Sequence, residues 1–274
     1  MPRTALPKAL AVLAAAIATG VAAGACARIS PAERLQRAND FIVAQRYEDA
    51  KREFMTLVKE ARGDDRQSVK YRRKALYRLG RLHYLFLNQP EQALDAFKQV
   101  VAIDPRAPLS FNALAAMGRI YHDTLRDLPQ AVLAYQTLIA YFPKHKRIDR
   151  YHHRLIDAYF KMGNLAQVRA EGMAAVIALP GSPWADDILY LVASACAMEG
   201  DKRGAEKSLE MIVSRYPQSE WLAQAHYELA ELLEERGELA GALGHYEKAA
   251  PGLGESAVLK RKIEALRRKA AAKD

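Results

Sequence analysis

Cysteine is scarce in this sequence: Cys26 and Cys196 are the only two among 274 residues. A disulfide between them would join the N-terminal segment to the middle of a predicted helix, so a disulfide framework is a poor interpretation. Long polar tracts of low complexity are also absent, which argues against a disordered chain. Half of the residues are hydrophobic, and this is enough for one large core or several small ones.

The usual motifs of catalytic and metal sites are missing as well. The sequence contains no glycine-rich phosphate loop, no G-x-S-x-G and no H-E-x-x-H. His152 and His153 are adjacent, so a helix turns them to different faces, and no cysteine pair accompanies them. The carboxylate pair Glu234–Glu235 lies in a helical pattern without a nucleophile nearby. We therefore expect no enzymatic activity, no metal site and no cofactor.

The first 25 residues differ in kind from the rest of the chain. Arg3 and Lys8 give this segment a basic start without acids, and 17 uncharged residues then lead directly to Cys26. A basic start, a short apolar run and small residues at its end are typical of a secretory signal peptide. An uncleaved membrane anchor or a buried helix is the alternative, but the run is shorter than the roughly 20 apolar residues that span a bilayer. We therefore predict a signal peptide over residues 1–25.

The stretch AGAC at 23–26 resembles the lipobox of bacterial lipoproteins, whose cysteine is acylated and becomes the new N-terminus. That family usually has leucine three residues before the cysteine, where this chain has Ala23. Ala23-Gly24-Ala25 also fits ordinary signal-peptide cleavage, which leaves a second route to export open. The resemblance implies a lipid on Cys26, and Ala27 after the cysteine favours the periplasmic face of the outer membrane. Ordinary cleavage would instead give a soluble periplasmic protein.

A short tether, residues 26–30, precedes the first predicted helix. Ser30 and Glu33 form an S-x-x-E capping box, and Pro31 stands at the first helical position. If Cys26 carries a lipid, the first helix therefore begins close to the membrane.

Proline and glycine recur at nearly fixed intervals downstream. Four prolines lie 38, 37 and 37 residues apart, at Pro105, Pro143, Pro180 and Pro217. Three glycines lie 37 residues apart, at Gly163, Gly200 and Gly237. Glycine suits the C-terminal cap of a helix, and proline stops the helix that precedes it. Each unit is therefore predicted as helix, tight turn, helix and stop, without strands, because no segment alternates with a period of two.

Two stretches show the repeat most clearly: GRLHYLFLNQPEQALDAFKQVVAIDP at 80–105 and GRIYHDTLRDLPQAVLAYQTLIAYFP at 118–143. Both resemble the tetratricopeptide repeat (TPR), a helical hairpin that buries its apolar face by stacking on its neighbours. The resemblance implies an all-α fold, an α-solenoid of about six TPR-like helical hairpins over residues 31–250.

The end of the chain, residues 251–274, is basic and predicts a C-terminal capping helix. Val258, Ile263 and Leu266 offer it a partial apolar face, and most of its other side chains are polar. Terminal repeats of such arrays need a polar cover, which this helix would supply.

The repeats are longer than the 34 residues typical of the family. About three residues are added before each first helix, and they include Ser182 and Ser219, which we predict as N-caps. Trp184 and Trp221 each follow their repeat's proline by four residues, and equivalent positions in a repeat favour packing over a ligand site. The extended start resembles periplasmic TPR proteins such as the D lipoprotein of the β-barrel assembly machinery and the TolA-binding division coordinator.

In TPR arrays the first helices line a concave groove that takes an extended peptide or a helix from a partner. Transferring those positions to this chain implies a groove that is basic in its first half and acidic at its end. The implied residues are Lys74, Tyr77, Arg81, Tyr84, Asn112, Arg119, His122, Arg150, His153, Asp157, Lys161, Tyr190, Ser194, Tyr227, Glu231 and Glu234. Arg81, Arg119 and Arg150 are expected to align along one wall and to bind an acidic segment. The alternative is that these are ordinary solvated side chains with an accidental charge gradient.

The net charge of +9 and a basic helical face at Lys70, Lys74 and Arg78 suit an acidic protein segment or anionic lipid headgroups, and a merely solvated face is the alternative. Nucleic acid is not expected among the partners, because the signal peptide directs the chain out of the cytoplasm. These patterns predict an exported, lipid-anchored TPR scaffold that binds an envelope protein or peptide segment, with an acidic segment as the favoured ligand. The alternative is a component of an outer-membrane protein assembly machinery that docks onto an insertase.

Overall fold

The computed structural model describes residues 29–254 and 256–271, and within these ranges all regular structure is helical. This confirms the all-α prediction. The predicted signal peptide and the predicted acyl acceptor Cys26 lie outside the described residues. The chain forms two compact units, the first ending at Arg72 and the second beginning at Arg73.

Thirteen α-helices and one π-helical turn occupy the described ranges. They are α1 (Pro31–Val43), α2 (Tyr47–Glu60), α3 (Arg66–Leu85), α4 (Pro90–Ile103), α5 (Pro108–Arg119), the π turn (Ile120–Leu125), α6 (Leu128–Tyr141), α7 (Ile148–Lys161), α8 (Leu165–Ala178), α9 (Ala185–Met198), α10 (Lys202–Arg215), α11 (Leu222–Glu235), α12 (Leu239–Leu253) and α13 (Ala257–Ala271). Successive helices pair as hairpins, from α1 with α2 to α11 with α12, and α13 follows the sixth hairpin. This order confirms the predicted TPR-like solenoid.

The first unit is built on the hairpin of α1 and α2. Helix α1 starts at the predicted capping box, where Ser30 Oγ accepts from the Glu33 amide at 3.2 Å and the Glu33 carboxylate accepts from the Ser30 amide at 2.9 Å. Ala38, Ala50 and Phe54 are fully buried in this hairpin. Small residues therefore bring its two helices together around one aromatic ring.

In the second unit, two glycines permit close approach of paired helices. A Cβ on Gly80 would lie 2.7 Å from Phe97 Cε1, and a Cβ on Gly118 would overlap the buried ring of Tyr135. Later hairpins use alanine for such contacts, and two pairs of alanines are buried: Ala193 with Ala205, and Ala230 with Ala242.

The turns inside the hairpins use left-handed backbone. The three predicted glycine caps are confirmed by φ angles of 73°, 76° and 78°, at Gly163, Gly200 and Gly237. The first three hairpins place other residues in this conformation, with φ angles of 59°, 51° and 57°, at Gln45, Asn88 and Arg126. Between α5 and α6, the chain passes through the π turn before it reaches Arg126.

The prediction that Ser182 and Ser219 cap helices is wrong. Helix α9 begins at Ala185 and α11 at Leu222, so each serine lies outside its helix. Each Oγ instead accepts from the amide two residues later, at 3.1 Å from Trp184 and 3.0 Å from Trp221. The added residues form a separate turn ahead of the helix, and the serine stabilises that turn.

Both tryptophans pack between neighbouring repeats, as predicted. The ring of Trp184 stacks on His153 with centroids 4.9 Å apart, and that of Trp221 stacks on Tyr190 at 4.0 Å. Trp221 Nε1 also donates to Asp187 at 2.7 Å. The first helices of the fourth, fifth and sixth hairpins are thereby joined in series.

The C-terminal helix buries a different apolar face from the one predicted. Leu259, Ile263 and Leu266 pack against Tyr246, whereas Val258 is 61% exposed. Placing Val258 on the buried face was wrong, because the helix pitch puts Leu259 on the face that holds the other two residues. Helix α12 also continues to Leu253, past residue 250 where the array was predicted to end. Among the described helices, none is both long and apolar enough to cross a membrane.

Candidate partner-binding cavity

A cavity of about 390 Å³ opens on the second unit between α3, α5 and α7. We call it the arginine cavity. Its lining residues are Tyr77, Arg81, Tyr84, Leu85, Phe97, Asn112, Ala115, Ala116, Arg119, Arg147, Arg150, Tyr151 and Arg154. The lining thus contains five arginines and no acidic residue.

Four of these arginines have no carboxylate partner among the described residues. Arg81, Arg119 and Arg150 are exposed, and their guanidinium groups make no ion pair within the described ranges. Arg147 donates to the Asn112 side chain at 3.3 Å and lies over the Phe111 ring, 5.2 Å from its centroid. Like charges gathered at one cavity repel, so a bound anion would relieve this repulsion.

The fifth arginine, Arg154, forms an ion pair with a carboxylate beneath the cavity. Its Nη1 lies 3.1 Å from Asp123 Oδ1. His122 lies beside this pair, with Nδ1 2.6 Å from Asp123 Oδ1 and Nε2 3.1 Å from Asp157 Oδ2. Burial by itself raises the pKa of Asp123, but the hydrogen bond from His122 and the charge of Arg154 outweigh it and lower that pKa. Arg154 is therefore held by a carboxylate, in contrast to the other four.

The structure places His122 beneath the cavity rather than on its surface. The side chain is only 3% exposed, because the π turn directs it between two carboxylates. The prediction that His122 is a groove residue in contact with a partner was therefore wrong. His122 acts instead on the position of Arg154.

Apolar and aromatic side chains form the rest of the cavity. The Tyr77 ring packs against Phe97 with centroids 5.8 Å apart, and the Tyr84 hydroxyl lies 3.1 Å from the Thr124 hydroxyl. Ala115 and Ala116 are buried small residues of α5. The cavity therefore combines a cationic rim with an apolar floor, as a peptide-binding surface requires.

The remaining implied groove residues of the first four repeats lie outside this cavity. Lys74 is exposed in the middle of α3 and does not line the cavity. Asp157 accepts from Lys161 Nζ at 2.8 Å, so these two neutralise each other. The His153 ring stacks on Trp184. Burial lowers the pKa of His153, and this effect outweighs the nearby carboxylates, which raise it.

Tyr190 is engaged in a contact between repeats. Its ring stacks on Trp221, and its hydroxyl donates to Glu228 at 2.8 Å. Burial, and then the Glu228 carboxylate, raise the pKa of Tyr190 to about 12. The residue therefore joins two first helices and leaves little of its ring for a partner.

The acidic end of the predicted groove is filled by the chain's own C-terminal helix. Lys262 Nζ of α13 lies 3.0 Å from Glu231 Oε1, 3.7 Å from Glu234 Oε2 and 5.4 Å from the Tyr227 ring centroid. Its pKa is raised: burial opposes the charge, but hydrogen bonds with Tyr246 and Glu231 outweigh that effect. Glu231 and Tyr227 are thus bound to Lys262, which leaves the basic half as the open site.

The predicted straight row of arginines is also corrected. Arg81 and Arg119 are 38 residues apart and occupy equivalent positions, but the position one repeat before Arg150 is Asn112. Arg150 therefore belongs to the start of α7, and it reaches the cavity from a different helix than Arg81 and Arg119 do. Arg147 and Arg154 were missed, because the groove positions taken from the TPR family include neither the added turn before α7, which holds Arg147, nor the face of α7 that holds Arg154. The spacing of Arg150 and Arg154, four residues apart on one helix, was the available signal.

In the described part of the chain, no three His, Cys, Asp or Glu side chains come close enough together to hold a metal ion. Cys196 is buried and unbonded.

A sequence model of the tetratricopeptide repeat matches residues 74–107 and 187–219. The first match covers most of the hairpin of α3 and α4, including Tyr77, Arg81 and Tyr84, and the second covers that of α9 and α10. The chain therefore contains tetratricopeptide repeats. No curated protein sequence matches it.

Solved structures share the fold at low sequence identity. A tetratricopeptide repeat protein from Parabacteroides merdae has a TM-score of 0.51 at 13% identity, over 86% of this chain and 98% of its own. MamA has a TM-score of 0.50 at 17% identity, over 64% of this chain and 94% of its own. A structure of Naa15/Naa10 bound to HypK-THB gives 0.55 at 16% identity, over 89% of this chain and 35% of the other. These likenesses support the fold alone.

Proposed function

We propose that this protein is an exported, lipid-anchored scaffold that holds a segment of an envelope protein in the arginine cavity. The observation that carries the proposal is the set of four arginines without carboxylate partners around an apolar floor. A TPR solenoid is suited to binding protein segments. Carboxylates of a bound segment would form charge-assisted hydrogen bonds with these guanidinium groups, and such bonds are among the strongest available to side chains.

The N-terminal sequence supports the location. The basic start, the uncharged run and the AGAC stretch favour export and a lipid on Cys26, at the periplasmic face of the outer membrane. Ser30, the N-cap of α1, follows Cys26 by four residues. Four residues reach at most about 14 Å, so an acylated Cys26 would hold α1 at the bilayer surface.

The anchor is tested by mass spectrometry of the mature N-terminus and by cell fractionation. We expect an acylated Cys26, and we expect Cys26→Ser to move the protein from the membrane to the soluble fraction. An unmodified N-terminus at Cys26 or beyond would instead indicate ordinary cleavage and a soluble periplasmic protein.

Partner binding is tested by crosslinking in cells. The variant Arg81→Glu/Arg119→Glu/Arg150→Glu should lose its envelope crosslinks because each substitution replaces an attractive charge by a repulsive one. The control Lys98→Glu/Arg203→Glu/Arg261→Glu makes the same change in net charge at exposed positions outside the cavity. Loss of crosslinks in the control alone would contradict the assignment. A crosslink to a β-barrel insertase would indicate the assembly role instead.

A further inference from the structure

We infer that the arginine cavity takes an extended segment with consecutive acidic residues, whose side chains alternate between two basic walls. This rests on the proposed function, because it specifies the chemistry of the segment that the cavity holds.

The cavity is a trough with α5 as its floor. The Tyr84 hydroxyl of α3 lies 3.1 Å from that of Thr124, in the turn that follows α5. On the other side, the ring of Tyr151 in α7 contacts that of Phe111 in α5, with centroids 5.5 Å apart. Helix α5 is thus a direct neighbour of both α3 and α7, and its buried residues Ala115 and Ala116 lie between them.

Each wall carries its own cation: Arg81 belongs to α3, whereas Arg150 and Arg154 belong to α7. Arg119, the last residue of α5, adds a further cation at one end of the floor between them. Arg81 and Arg150 are exposed and make no ion pair in the portion that the structure describes, so both can turn toward a ligand. Arg154 is fixed by Asp123 at 3.1 Å and marks the α7 wall at a constant position. A ligand in the trough therefore meets positive charge on both sides.

The arrangement of the two walls determines the pattern of acids that fits. Helix α5 lies between them, so Arg81 and Arg150 would approach a ligand on the floor from two different helices. In an extended chain, successive side chains point in opposite directions. Two consecutive acidic residues along the floor would therefore reach one wall each. Acidic residues at every second position would all face the same wall and leave the other without a partner.

The apolar surface of the trough favours a peptide over a small inorganic anion. Leu85 lines the cavity and is 52% exposed, and Tyr77 presents its ring beside Arg81. A phosphate ion would contact guanidinium groups and leave this surface in water. A peptide covers it with main chain and side chains while its carboxylates bind the arginines.

The test compares two synthetic peptides of the same composition, binding to the purified protein, by fluorescence anisotropy. Both are acetylated and amidated, so terminal charges do not contribute. One has four consecutive glutamates flanked by serines, and the other has the four glutamates alternating with serines. We expect the consecutive peptide to bind at least about tenfold more tightly, because only it engages both walls.

Two single variants test whether each wall contributes an arginine to peptide binding. Arg81→Ala and Arg150→Ala should each weaken the consecutive peptide, and Lys98→Ala, an exposed position outside the cavity, should not. Double-mutant cycles with Glu→Gln peptides should couple one glutamate to Arg81 and its immediate neighbour to Arg150. Far-ultraviolet circular dichroism confirms that each variant keeps its helices.

The outcomes separate this inference from the proposed function. Equal affinity for both peptides, lost in the arginine variants, would overturn the alternation between walls and leave peptide binding in place. If neither peptide binds, both proposals fail. Binding of anionic phospholipid vesicles through the same arginines, without peptide binding, would assign the cavity to a membrane surface and overturn both.

Discussion

Gly118 controls how closely α5 approaches α6. A Cβ at this position would overlap the ring of Tyr135, which is fully buried and has no room to move. We expect Gly118→Ala to lower the free energy of unfolding by about 1–3 kcal/mol, as overpacking does in other cores. The midpoint of urea unfolding measures this change.

Gly244 provides the matched control in α12. Nothing lies within 4 Å of the place where its Cβ would stand. Gly244→Ala should therefore raise the stability by about 0.5–1 kcal/mol, because alanine favours the helix and no atom opposes it. Equal shifts for the two variants would mean that steric overlap at Gly118 is absent.

The residues of the cavity were partly predictable from sequence. Tyr77, Arg81 and Arg119 follow from the repeat register, since they occupy positions on the exposed face of first helices. The position of Arg154 depends on the π turn, which places Asp123 beneath it, and no local sequence pattern specifies such a turn. Lys262 was read as part of a polar cover, and its contact with Glu231 depends on how α13 packs.

At the scale of the element, hairpin packing relies on paired small residues. Ala242 of α12 is fully buried beside Ala230 of α11. We expect Ala242→Leu to destabilise the protein by about 1–3 kcal/mol, because the larger side chain forces the two helices apart. Ala240→Leu, at an exposed position of the same helix, should change the stability by less than about 0.5 kcal/mol. Thermal or urea unfolding of both variants gives the comparison, and a stable Ala242→Leu protein would contradict this packing.

Sequence periodicity predicted the hairpins better than their ends. Proline and glycine spacing located the helix pairs, because each residue restricts the backbone in a specific way. The starts of α9 and α11 were displaced, since Ser182 and Ser219 suit a short turn as well as an N-cap. The phase of α13 was misjudged at Val258, because two adjacent apolar residues allow either of two neighbouring faces to be buried.

At the scale of the whole molecule, buried and half-buried histidines make stability depend on pH. Five have a lowered pKa, with burial as the largest cause in each: His145, His152, His153, His226 and His245. Below their unfolded pKa of about 6.5, the unfolded chain binds more protons than the native one. Stability should therefore fall as pH drops below that value. Carboxylates with lowered pKa, such as Glu53, lose their contribution only in a separate window near pH 4 and below.

His226 and His245 allow a direct check of this dependence. Their Nδ1 atoms lie 3.0 Å apart, and the charge of Lys248 adds to the lowering of both pKa values. We expect His226→Gln/His245→Gln to reduce the loss of stability between about pH 7 and pH 5. Urea midpoints at a series of pH values measure the slope, and an unchanged slope in the double variant would assign the effect to the other histidines.

The packing of α13 on α11 and α12 limits where further hairpins can be added to the array. A further hairpin added after α12 would need the surface that Leu259, Ile263 and Lys262 already cover. A hairpin inserted directly after α12, or a second copy stacked on α11 and α12, would therefore have to displace α13 and lose both its apolar contacts and the Lys262–Glu231 ion pair.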